Sequence, residues 1–69
     1  MTLQEYRIRL GWSAEDLARR AGVNAQTVRR IERGNPTYLH TAGAIARALS
    51  EGYGREIAIE DIEDLVIRE

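Results

Sequence analysis

Apolar residues recur at helical spacing from Leu3 to Leu49, and capping residues punctuate the pattern. Leu3, Tyr6 and Leu10 share one face of a helix predicted over about Leu3–Leu10, with Thr2 and Glu5 in capping-box positions and Gly11 at its end. A second helix is predicted over about Ala14–Ala21. Ser13 caps it with Asp16 at the box position, and Trp12 and Leu17 form a hydrophobic staple. Its inner face carries Leu17, Ala18 and Ala21, and Gly22 makes the turn that follows. The third helix runs from about Ala25 to Arg33, capped by Asn24 and stapled by Val23 and Val28. Val28 and Ile31 face inward, while Gln26, Arg29, Arg30 and Arg33 face outward and Gly34 closes the helix.

Further along, Pro36-Thr37 reads as a stop-and-cap signal before a fourth helix over about Leu39–Ser50. Its stripe is Leu39, Ala42, Ile45, Ala46 and Leu49; Gly43 weakens it by about 1 kcal/mol relative to Ala. Glu51–Ile57 reads as a loop, with Gly52 and Gly54 around Tyr53. A fifth helix is expected over about Glu60–Val66, and Arg55–Ile59 alternates in a way that also suits an extended path. The pattern predicts an all-α, four- to five-helix fold in one domain spanning residues 1–69.

Residues 14–33 have the makings of a helix-turn-helix. Two helices that cross steeply through a tight turn need a small residue where they approach, which Ala18 supplies, and a turn-tolerant residue four positions later, which is Gly22. Leu17, Ala21, Val23, Val28 and Ile31 are spaced to fill the angle between them.

Composition sharpens this picture. Net charge is −1, which by itself argues against a nucleic-acid partner. The distribution matters more than the sum. Residues 1–34 hold seven Arg against four acids, a balance of +3, and residues 35–69 hold three Arg against seven acids, a balance of −4. All ten basic residues are Arg, whose planar fork suits phosphates and guanine edges, although codon bias also yields such usage. With no Cys and only His40, neither a disulfide nor a Cys/His metal site is expected. No apolar run approaches the roughly 18 residues of a membrane span, and the charged opening MTLQEYRIRL lacks a signal-peptide core. A soluble, cytoplasmic protein without a cofactor is the expectation. Nothing resembles a nucleophile–base pair or a phosphate-cradling glycine loop, so no enzymatic activity is expected.

The stretches LQEYRIRLGWSAEDLA at 3–18, AGVNAQTVRRIERG at 21–34 and IARAL at 45–49 resemble the lambda-repressor-like, Cro-type helix-turn-helix regulators, also called the xenobiotic-response-element family. The resemblance covers residues 3–50. It implies that Arg7 pairs internally with Glu32, and that the third helix enters the major groove of double-stranded DNA. By position, Ala25, Gln26 and Arg30 take the family's base-reading sites, with Thr27 and Arg29 as secondary candidates. Gln26 suits adenine and Arg30 guanine, while Ala25 suits only a thymine methyl. Phosphate contacts are implied at Asn24, Arg33, Asn35 and the amides opening the second helix at Ala14, a position where relatives often carry Gln.

Regulators of this type usually dimerise on half-sites one DNA turn apart, so a homodimer on a palindromic operator is expected, acting as a repressor. The acidic, apolar segment 55–69 offers an interface through Ile59, Ile62, Leu65, Val66 and Ile67, unless Ile59, Ile62 and Val66 complete the monomer's own core. Its acids would turn the tail away from DNA. The same segment suits a different role, an antitoxin or other interaction module binding a protein partner.

Overall fold

The computed structural model describes residues 1–68. Its helices are α1 (Leu3–Arg9), α2 (Ala14–Ala21), α3 (Ala25–Glu32) and α4 (Leu39–Tyr53), followed by a 3-10 turn at Ile59–Asp61. The early boundaries have local causes. Thr2 Oγ1 accepts the Glu5 amide at 3.2 Å, and the Glu5 carboxylate accepts the Thr2 amide at 2.8 Å. Ser13 and Asp16 repeat this reciprocal pair at α2, at 3.0 and 2.9 Å. Each box satisfies amides that the first turn of a helix leaves without partners. The bond from the Thr2 amide holds the Glu5 carboxyl below its ordinary pKa, and the Ser13 amide does the same for Asp16.

Helix α2 stops at Gly22, whose φ of +75° lies in the left-handed region that other residues resist. The Val23 amide then donates back to the Ala18 carbonyl at 2.9 Å, closing the helix end. Helix α2 packs against both α3 and α4, and α1 packs against α3. The centre is filled by Leu3, Leu17, Val28, Ile31, Ile45 and Leu49, all essentially inaccessible. Ala18 and Ala21 on α2, and Ala42, Ala46 and Ala48 on α4, are also buried, and small side chains let helix axes come close.

Three expectations need correction. The Glu51–Ile57 loop is helical as far as Tyr53, and α4 ends only at Gly54. Gly52 is not a turn residue. A Cβ built there would lie 2.7 Å from Trp12 Cη2 and 2.8 Å from Leu10 Cδ1, so glycine lets α4 pass close over the α1–α2 turn. The contact continues through Tyr53, whose hydroxyl donates to the Tyr6 carbonyl at 2.7 Å.

Thr37 does not cap α4. Tyr38 occupies the cap position without a side-chain bond, and Thr37 is buried. Its amide donates to the Val66 carbonyl at 2.8 Å and its carbonyl accepts the Arg68 amide at 2.6 Å, forming one parallel bridge to Ile67.

The fifth helix, expected over Glu60–Val66, is absent: only the 3-10 turn forms, a further turn follows at Glu63 and Asp64, and the chain then leads to a bridge at Ile67. Short isolated helices are marginal, and competing partners win here. The Asp64 carboxylate accepts the Leu3 amide at 2.9 Å, the Glu63 amide donates to the Met1 carbonyl at 3.1 Å, and the Met1 ammonium meets Glu63 at 2.8 Å. Residues 62–68 therefore form a strap that ties the start of α1 to the α3–α4 loop. Ser50 sets up its path, because its hydroxyl accepts the Ile57 amide at 2.7 Å while donating to the Ala46 carbonyl at 2.8 Å. The tail acid Glu69 lies outside the described residues.

Candidate nucleic-acid interface

One face of α3 is anchored and the other is open. Val28 and Ile31 are buried, and Asn24 Oδ1 caps the helix by accepting the Gln26 amide at 2.7 Å. The opposite face presents Gln26, Arg30 and Arg33 to solvent, with Ala25, Thr27 and Arg29 half-buried beside them. The orientation of α3 is fixed at its far end by Arg7, which meets Glu32 in a two-pronged pair at 2.8 and 3.0 Å and gives a third bond to the Trp12 carbonyl at 3.0 Å. Only 12% of the Arg7 side chain and 13% of Glu32 are exposed, so this pair clamps α1 and the α1–α2 turn onto α3 from within the molecule.

The outward arginines differ in freedom. Arg29 is tied to Glu15 of α2 by an ion pair, which the linear pattern did not reveal because fourteen positions separate the two. Among the described residues, no carboxylate pairs with Arg30 or Arg33. Arg29 thus joins the two helices of the motif, and the free guanidiniums on α3 are those of Arg30 and Arg33.

The phosphate candidates also separate. The Ala14 side chain is buried, which leaves that position only its backbone amide to offer. The Ala14 and Glu15 amides carry no hydrogen bond among the described residues, which leaves two unpaired donors at the start of α2. Asn24 uses its side-chain oxygen as the cap and keeps its amide group. Asn35 aims both its backbone and side-chain amides at the Arg30 carbonyl, at 3.0 and 3.2 Å, closing α3 and leaving one side-chain N–H outward. Ala18 is buried on α2, and Gly22 ends that helix in the left-handed region.

At the other end of the chain, Ile62 is 3% exposed and belongs to the core, which removes it from the expected outward-facing interface set. Ile59 and Leu65 pack against the same core. Val66 is 46% exposed and Ile67 half-buried, beside the exposed Tyr38 and Leu39.

Two features escaped the linear reading. Arg20 lies over the Trp12 ring, 4.5 Å from its centre, which covers the staple residue. A cleft of about 270 Å³ opens between α3, the α3–α4 loop and the strap, lined by Thr27, Arg30, Pro36, Tyr38, Thr41 and Arg68.

Among the described residues, no group of His, Cys, Asp and Glu is placed to hold a metal ion, and no helix is long and apolar enough to cross a membrane. No curated protein and no solved structure matches the chain significantly. The helix-turn-helix family model matches residues 3–59. That match spans most of the chain and coincides with the α2–Gly22–α3 crossing, its Arg7–Glu32 clamp and the packing of α4 behind it. The chain therefore belongs to the lambda-repressor/Cro-type helix-turn-helix family of DNA-binding regulators.

Proposed function

We propose that the protein is a sequence-specific transcriptional regulator, acting as a repressor without enzymatic activity, that lays α3 in the major groove of double-stranded DNA. The observation that carries this reading is the face of α3 itself. Gln26 and Arg30 are exposed on a helix whose opposite side is buried, and Arg30 has no carboxylate partner among the described residues. Gln26 is suited to the two-point edge of adenine and Arg30 to that of guanine. Arg33 and the free amides at the start of α2 flank this face as phosphate contacts.

Arg29 has a smaller part in this proposal than Arg30, because Glu15 occupies its guanidinium. The operator is a palindrome read by a homodimer. Its interface draws on Val66 and Ile67 with Tyr38 and Leu39, because Ile62 is committed to the monomer's core. A tail that binds a different protein draws on the same reduced set of residues and has no further observation in its favour.

The test compares two arginines. Arg30→Ala is expected to cost about 1–3 kcal/mol on the selected site and to relax preference at one base pair, whereas Arg33→Ala weakens all sequences alike. Equal losses on selected and random duplexes for Arg30→Ala would remove its base-reading role.

A further inference from the structure

The cleft beside α3 combines two cations with several hydroxyls. Its lining includes Arg30 from the recognition face, Arg68 from the strap, the hydroxyl-bearing Thr27, Thr41 and Tyr38, and the apolar Ile31 and Pro36. No Asp or Glu lines it, although acids outnumber bases along the chain. Neither arginine has a carboxylate partner among the described residues, and Arg68 is held over the Tyr38 ring at 5.9 Å from its centre. Forked guanidiniums with nearby hydroxyls are the donor set that binds phosphoryl oxygens. At about 270 Å³ the space is small for a drug-sized ligand and ample for a phosphate group.

The acids of the tail are expected to turn away from DNA, but the backbone of its last described residues runs beside the α3–α4 loop. The Arg68 amide is bonded to the Thr37 carbonyl, and this brings the only arginine of residues 56–68 to the edge of α3. We propose that this cleft is a phosphate-binding site, with Arg68 as its tail-derived ligand, and that the phosphate it takes is one of the DNA backbone beside the groove that α3 enters. This rests on the DNA-binding reading above. A phosphate held here by Arg68 would lie beside Thr27 and the stem of Arg30, whose guanidinium is left for guanine, and this makes the strap a part of the interface.

The experiment measures binding of the full chain to a labelled random duplex by anisotropy across a salt series. It is repeated for Arg68→Gln and Arg68→Lys. Losing one phosphate contact should make the salt slope shallower by about 0.9 for Arg68→Gln and weaken binding several-fold, with Arg68→Lys restoring the slope. Thermal melting of both variants should match the parent, since the Arg68 side chain supports no core contact. A second arm titrates the DNA-free protein with inorganic phosphate and follows the amides of Thr37, Thr41 and Arg68 by NMR. Shifts that vanish in Arg68→Gln support the phosphate site even if the parent fails to bind DNA, an outcome that would overturn the regulator reading and the backbone assignment but not the site. Shifts together with an unchanged DNA slope assign the site to a free phosphorylated molecule and overturn the backbone assignment. No shifts and an unchanged slope overturn the proposal.

Discussion

The motif at residues 14–33 and the strap at residues 62–68 are held by different kinds of forces. The motif rests on short-range signals: reciprocal caps at Ser13 and Asp16, a glycine at positive φ, and apolar residues at helical spacing. The strap rests on bonds between distant positions, such as Leu3 to Asp64 and Thr37 to Val66. The strap is richer than the motif in both apolar and acidic residues, yet only the motif is helical. An apolar period therefore predicts a helix only where no distant backbone competes for the same amides.

The sharpest way to break the motif's side of this comparison is to remove its most buried long-range tie. Arg7→Ala leaves Glu32 nearly buried without its partner and should cost about 3 kcal/mol, measured by denaturant unfolding. A loss well under 1 kcal/mol would show that the clamp is replaceable by water. Next comes Gly52→Ala, where the new methyl meets Trp12 and Leu10 at under 3 Å. Crowding of this kind costs typically about 1–3 kcal/mol, whereas a helical glycine with open space around its Cβ position would gain stability on the same change. The sign alone distinguishes the two.

Asp64→Ala is the corresponding cut at the strap. It removes the acceptor of the Leu3 amide and should cost about 1 kcal/mol, with faster hydrogen exchange confined to Leu3 and its neighbours. Exchange that spreads equally through α2 and α3 would mean that strap and motif unfold together. The smallest effect concerns the caps. Folding lowers the carboxyl pKa of Glu5 and Asp16, through the amides of Thr2 and Ser13. Their contribution is therefore full above the unfolded values near pH 4 and is lost as pH falls through the lowered folded values. Glu5→Gln with Asp16→Asn should flatten the acid limb of a stability-versus-pH curve by a small, measurable amount.

Much of this was legible in the sequence, and the boundary of legibility has a physical meaning. Ser13, Gly22 and Asn24 act on neighbours within a few residues, so their roles follow from position. Gly52 was misread because close approach and turn formation both favour glycine, and only the location of Trp12 separates them. Arg29 looked free because its partner Glu15 sits on another helix. Thr37 and the strap depend on backbone pairing across the fold, which no residue type encodes. The outward face of α3 was readable from period alone, whereas the cleft that Arg68 joins to it was not.

The central claim is that α3 reads base sequence through Gln26 and Arg30. Its most direct test is selection of the purified protein against a random duplex pool at about 150 mM salt, where non-specific phosphate binding is weakened. The account predicts an enriched palindrome whose half-site loses preference at one base pair in Arg30→Ala and at another in Gln26→Ala. A folded protein that enriches no sequence, or that enriches one unaltered by both substitutions, would contradict it.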